Sequence, residues 1–151
     1  MVMLPESAEP RTRLSIVAER VVPYSAVIIW DALLDPVLAD GWLGQLETEA
    51  VPEGRYCVVW PDREPHRADW FGRITRLVPG QRLSLHFQPH TEVTFELVTD
   101  ADASVRVRVR HRSYLSRSEA LAVDEFWRRR LGYLAALLSG RPVDWRDTSS
   151  G

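Results

Sequence analysis

Apolar positions along this chain recur at two spacings. Near the C-terminus Trp127, Leu131, Leu134 and Leu138 follow one another at intervals of four, three and four. That stripe marks one face of a helix with 3.6 residues per turn. Val123 and Ala120 extend it, whereas Arg128, Arg129 and Ala135 lie off it. The spacing predicts a long helix over 118–139, with Gly140 and Pro142 as stop signals. Upstream the period is mostly two. Leu14, Ile16 and Ala18 alternate with Arg13, Ser15, Val17 and Glu19, which predicts a strand ending at Pro23.

Local signals conflict after Pro23. Val27, Ile28 and Ile29 form a β-branched run that favours strand, but Trp30, Leu33 and Leu34 continue at helical spacing. With Ser25 as cap, we read a helix ending at Asp35-Pro36, with Trp30 in the core. Asp35 then caps a second short helix that has Pro36 at its first position and runs towards Gly41-Trp42. A weak strand is expected over 45–50, and Pro52-Glu53-Gly54 reads as a turn. Tyr56, Val58 and Trp60 share one face of the next strand, and 61–65 reads as a polar loop. The strand over 68–77 carries Trp70, and its Gly72 marks a bulge or a close approach. Beyond Pro79-Gly80, Leu83, Leu85 and Phe87 face one side and Ser84 and His86 the other. Pro89-His90 turns the chain again. Val93, Phe95 and Leu97, then Val105, Val107, Val109 and His111, form the last two apolar faces.

These elements predict an α+β fold. A curved antiparallel sheet of seven strands wraps around the long C-terminal helix, and two short helices follow the first strand. The last hairpin must keep its apolar faces in phase, so its loop has an odd residue count. Taking 100–102 as the loop pairs Leu97 with Val105, Phe95 with Val107 and Val93 with Val109. On the other face Glu96 then meets Arg106, and Glu92 meets Arg110. Arg106, Arg108, Arg110 and Arg112 therefore read as a solvated face with acidic neighbours.

The totals narrow the classes. The 151 residues suit one domain, expected over 13–140, between a loose tail at 1–12 and another at 141–151 in which Trp145 is a candidate to dock. A formal charge of −2 with interspersed signs argues against a nucleic-acid partner. A single cysteine, Cys57, excludes an intrachain disulfide and fits a reducing compartment. No apolar run approaches the roughly 18 residues that a membrane span needs. No basic-then-apolar start suggests a signal peptide, so the expected location is cytoplasmic.

Taken in order, the segments VIIWDALLDPVLADGWLG (27–44), GRITRLVPGQRLSLHF (72–87), VTFELV (93–98), VRVRVRH (105–111) and FWRRRLGYLAALLSG (126–140) carry a resemblance. The chain resembles the START-like superfamily, also called SRPBCC or the birch-pollen-allergen fold. Within it, the chain is most similar to the activator of heat-shock-protein ATPase homologue branch. Members often carry a glycine before the tryptophan of the last helix, where this chain has Phe126. The resemblance implies the helix-grip fold and a cavity between helix and sheet, and it fixes no reaction.

Chemistry-bearing residues are few. His66 and His90 fall in expected loops and His86 on the outer face, which leaves His111 as the histidine that shares a face with the apolar valines. His111 and Tyr56 are the candidate polar groups for an enzyme reading. No spacing suits a metal, no glycine loop cradles phosphate, and there is no nucleophile elbow, so no cofactor is expected. Arg130, at the edge of the helix stripe, is expected to snorkel to water rather than anchor a carboxylate. The inward aromatic surplus is more informative, because ligand pockets are lined by such rings.

The expected ligand-binding wall comprises Tyr56, Val58 and Trp60 on one strand, then Trp70, then Leu85 and Phe87. Val93 and Phe95, with Val107, Val109 and His111, continue it across the sheet. Trp127 and Leu131 form the roof and Trp42 the rim. Three readings follow: a small-molecule binding protein holding an apolar or aromatic ligand, a polyketide cyclase- or lyase-like enzyme, and a co-chaperone-like interaction module. The first is preferred, with an apolar small molecule as partner and a monomer or homodimer as the expected state.

Overall fold

The computed structural model describes residues 9–60, 69–87 and 90–142. The expected loop at 61–65, His66, Pro89 of the expected turn, most of the N-terminal tail and Trp145 lie outside the described residues. The elements in chain order are β1 (Thr12–Val22), α1 (Ala26–Leu34), α2 (Pro36–Ala39), β2 (Gln45–Thr48) and β3 (Arg55–Val59). They continue with β4 (Trp70–Val78), β5 (Arg82–Phe87), β6 (Thr91–Thr99), β7 (Val105–Leu115) and α3 (Arg117–Leu138). The seven strands form one antiparallel sheet in the order β1-β7-β6-β5-β4-β3-β2. This is the helix-grip arrangement, a curved sheet holding α3.

α1 forms despite its β-branched run because the buried positions Ile29, Ala32 and Leu33 recur at helical spacing, while Val27 and Ile28 face outwards. Ser25 accepts from the Ile28 N–H, and Asp35 caps α2 by accepting from the Val37 N–H. Trp30 is only partly buried, at the margin of the core rather than within it. α3 begins one residue earlier than expected, after Ser116. Ser116 and Glu119 make a reciprocal capping box, a signal present in the sequence at the right spacing. Glu9 and Arg11, which precede β1, bind the first turn of α3 through Ser118 and Glu119.

Two strand details differ from expectation. The bulge in β4 falls between Ile74 and Arg76, not at Gly72. Gly72 is instead a close approach. A Cβ there would lie 2.3 Å from Phe87 Cδ1 and 2.4 Å from the His86 carbonyl oxygen. In the last hairpin the register is displaced by two residues. Leu97 opposes Val107, Phe95 opposes Val109 and Val93 opposes His111. The turn itself explains this. Asp100 pairs with Ser104, Ala103 takes a positive φ of 70°, and the Asp102 carboxylate binds both the N–H and the hydroxyl of Ser104. Ala101 to Ala103 thus form the three-residue loop, one position later than expected.

The displaced register also re-pairs the outer face. Glu96 sits opposite Arg108 but bonds Arg82 at 2.9 Å, Arg108 reaches across to Glu19 on β1 at 2.7 Å, and Glu92 faces Arg112. Arg106 meets Asp100 in the turn. No helix among the described residues is long and apolar enough to cross a membrane.

Candidate functional site

The inner face of the sheet beneath α3 carries a continuous set of aromatic rings. Strand alternation aims Tyr56, Val58, Leu85, Phe87, Val93, Phe95, Val107, Val109 and His111 inwards, and all are buried. From α3 the buried stripe is Val123, Phe126, Trp127, Arg130, Leu131 and Leu134. It is one position wider than the pattern of leucines suggested. Phe126 and Arg130, four apart, form a second row beside Trp127 and Leu131, as a globular helix rather than a coiled-coil seam requires.

Ring contacts run from one end of this face to the other. Trp42 meets Phe95 edge-on at 6.3 Å between centroids, and Phe95 meets Trp127 at 5.6 Å. Trp127 contacts Phe126 at 5.1 Å, and Trp60 meets Phe126 at the same distance. Trp70 lies among four rings, at 4.3 Å from Phe87, 4.8 Å from Trp60, 5.7 Å from Trp127 and 6.0 Å from His111. Edge-to-face and tilted pairs of this kind add to the stabilisation from burial alone. The structure thus brings together Trp60, Trp70, Phe87, His111 and Trp127 of the expected wall.

His111 has a defined hydrogen-bond role. Its Nδ1 accepts from the Trp127 indole N–H at 3.1 Å, so in the neutral ring the proton is on Nε2. With Ile16 and Val93 as its cross-strand neighbours, it is a polar group set within an apolar wall.

The other inward polar groups tie down the α1–α2 segment. Tyr56 donates its hydroxyl proton to the Leu33 carbonyl at 2.7 Å, and the Trp42 indole N–H donates to the Ala32 carbonyl at 2.8 Å. Both carbonyls belong to the last turn of α1, where the helix leaves its acceptors unpaired. Burial raises the Tyr56 hydroxyl pKa well above its ordinary value, which keeps it a neutral donor. Trp42, expected at the rim, is completely buried.

Arg130 is the largest departure from expectation. It does not snorkel but has no exposed surface. Its guanidinium lies 4.5 Å from the Phe126 ring centroid and 5.4 Å from that of Trp60, and its Nε donates to the Leu43 carbonyl at 3.1 Å. A delocalised, weakly hydrated cation suits such a ring cage better than an ammonium does. Its position on the helix could be read from the sequence. Its carbonyl partner, far away in sequence, could not.

Open hollows lie elsewhere. One of about 550 Å³ sits by the β4–β5 turn, between Arg76, Gln81 and Thr99. Another of about 270 Å³ lies between Tyr24 and Ala135, beside Arg20 and Arg141. No group of three or more potential metal ligands occurs among the described residues.

Comparison with solved structures agrees with this architecture. DynU16, of the dynemicin biosynthetic locus, superposes with a TM-score of 0.73 at 22% identity over 85% of this chain, which spans about half (48%) of DynU16. CalU16 from Micromonospora echinospora gives 0.70 at 19% identity, covering 90% of this chain and 87% of that one. MLL2253 from Mesorhizobium loti gives 0.71 at 18%, covering 86% and 100%. At these identities the likeness establishes the fold alone. No curated protein matches the chain. The family model described as Activator of Hsp90 ATPase homolog 1-like protein matches residues 23–139, and with the helix-grip fold just described the chain belongs to that family.

Proposed function

We propose that this protein binds an apolar or aromatic small molecule between the sheet and α3. The observation that carries the reading is the cluster of Trp60, Trp70, Phe87 and Trp127 with the buried polar ring of His111 among them. A surface that is mostly aromatic with a few directional polar groups is the composition of a small-molecule site. The helix-grip fold, in which a sheet and a helix face one another, supports the same reading. Val109 and Leu131 continue the wall away from the cluster.

The enzyme reading has less support. Of its two candidate groups, Tyr56 gives its proton to a helix-end carbonyl, so it holds α1 rather than facing a substrate.

A thermal-shift screen against flavonoids, fatty acids, sterols and aromatic polyketides tests the proposal. A ligand present at a hundredfold excess over its dissociation constant stabilises the fold by about 2.7 kcal/mol, enough for a clear rise in melting temperature. The shift should disappear in Val109→Trp, which fills the wall, provided that variant still melts cooperatively. A screen in which no class shifts the wild type rejects the binding reading.

A further inference from the structure

Two observations single out Trp70 among the rings. It is partly exposed, whereas its neighbours Trp60, Phe87, His111 and Trp127 are buried. Its indole N–H has no hydrogen-bond partner among the described residues, whereas Trp42 and Trp127 are anchored through theirs, to the Ala32 carbonyl and to His111.

Trp70 nevertheless rests on a shaped seat. Trp70 and Gly72 lie on the same face of β4. Because Gly72 lacks a side chain, the Phe87 ring lies directly against the strand there, where a Cβ would be 2.3 Å from it. Trp70 then lies over Phe87 at 4.3 Å with a tilt of 35°, near an offset stack. Trp60 meets it edge-on, and Trp127 and His111 close the far side. The space Trp70 fills is therefore a flat slot lined by four rings.

We propose that Trp70 is an exchangeable plug. A planar aromatic molecule of about indole size takes its place on Phe87, and the Trp70 ring moves out to solvent. This rests on the binding reading above and narrows its ligand class to flat aromatic rings. Seating such a ring restores the stacked and edge-on contacts that Trp70 gives up, whereas a puckered or branched aliphatic molecule of equal volume restores neither. Trp70 loses no described hydrogen bond on leaving, and its N–H gains water.

The sign of one affinity change separates a plug from a wall. Removing a competitor tightens binding, and removing a wall weakens it. Calorimetric titration of the full chain with 2-naphthol should give at least tenfold tighter binding for Trp70→Ala than for the wild type, and cyclohexanol should show no comparable gain. In wild-type NMR spectra, the indole N–H signal that is absent from Trp70→Phe should exchange faster with water when 2-naphthol is added.

Weaker or unchanged binding by Trp70→Ala overturns the plug but leaves small-molecule binding intact. Tighter binding without faster exchange in the wild type also overturns it, since that reports only space made by the substitution. Absence of binding by both proteins, together with a silent thermal-shift screen, rejects both proposals. If Trp70→Ala does not fold, the wild-type exchange measurement decides, and an unchanged or slower rate overturns the plug.

Discussion

Trp127 joins the helix to the sheet through two kinds of contact. Its ring packs on Phe95 and Phe126, and its N–H bonds His111. Removing a fully buried aromatic costs about 3–5 kcal/mol, so Trp127→Ala should be among the most destabilising single changes. Arg129, two residues further along, is exposed and paired with Glu125 one turn away at 2.7 Å. Arg129→Ala should change stability by less than about 0.5 kcal/mol. Urea unfolding compares the two, and equal midpoints would contradict the assignment of the helix faces. Arg130, next to Arg129 in sequence, shows how fast environment changes along a helix. A rotation of about 100° takes a guanidinium from water into a cage of rings.

α3 is defined at both ends by side chains as well as by its apolar stripe. Ser116 and Glu119 satisfy each other's backbone N–H groups at its start, so Ser116→Ala should cost about 1 kcal/mol. The hydrogen bond from the Ser116 N–H, and secondarily the Arg11 guanidinium, hold the Glu119 carboxyl below its ordinary pKa of 4.5. A carboxyl whose pKa is lowered on folding stabilises the fold above 4.5, and that stabilisation is lost as the pH falls through the folded-state value. The difference in urea midpoint between wild type and Glu119→Gln should therefore be present at neutral pH and vanish in acid. A difference that persists unchanged below the folded-state pKa would contradict the assigned role. The start of α3 was legible as S-x-x-E in the sequence, but the apolar stripe alone drew the boundary one residue too late.

For the whole molecule, charge distribution argues against a nucleic-acid interface. The arginines of β7 stand in a row, yet Arg106, Arg108 and Arg112 each face a carboxylate, and the chain carries a formal charge of −2. Phosphate-driven binding needs a net positive surface that releases counterions. An anisotropy titration at physiological salt should find no submicromolar affinity for duplex or single-stranded probes. A tighter complex with either would overturn this.

The amino-acid sequence alone determined the order of the elements, the inward face of nearly every strand and the caps of α1 and α2. Those features depend on residues within a few positions of one another, and a period of two or 3.6 encodes them directly. Tertiary structure decided what parity leaves open. The last hairpin could shift by two residues and keep every apolar side chain inward, and the folded sheet sets Phe95 opposite Val109, with the Asp102–Ser104 contact closing the turn. Long-range partners were equally hidden. Tyr56 and Leu33 lie 23 residues apart, and Arg130 and Leu43 lie 87 apart. Whether an inward polar side chain faces a ligand or closes a helix end depends on which backbone carbonyl folding brings to it. Trp70 follows the same rule. Its type and spacing match those of the buried tryptophans, and only the assembled cluster shows that it alone of the five clustered rings is partly open to water.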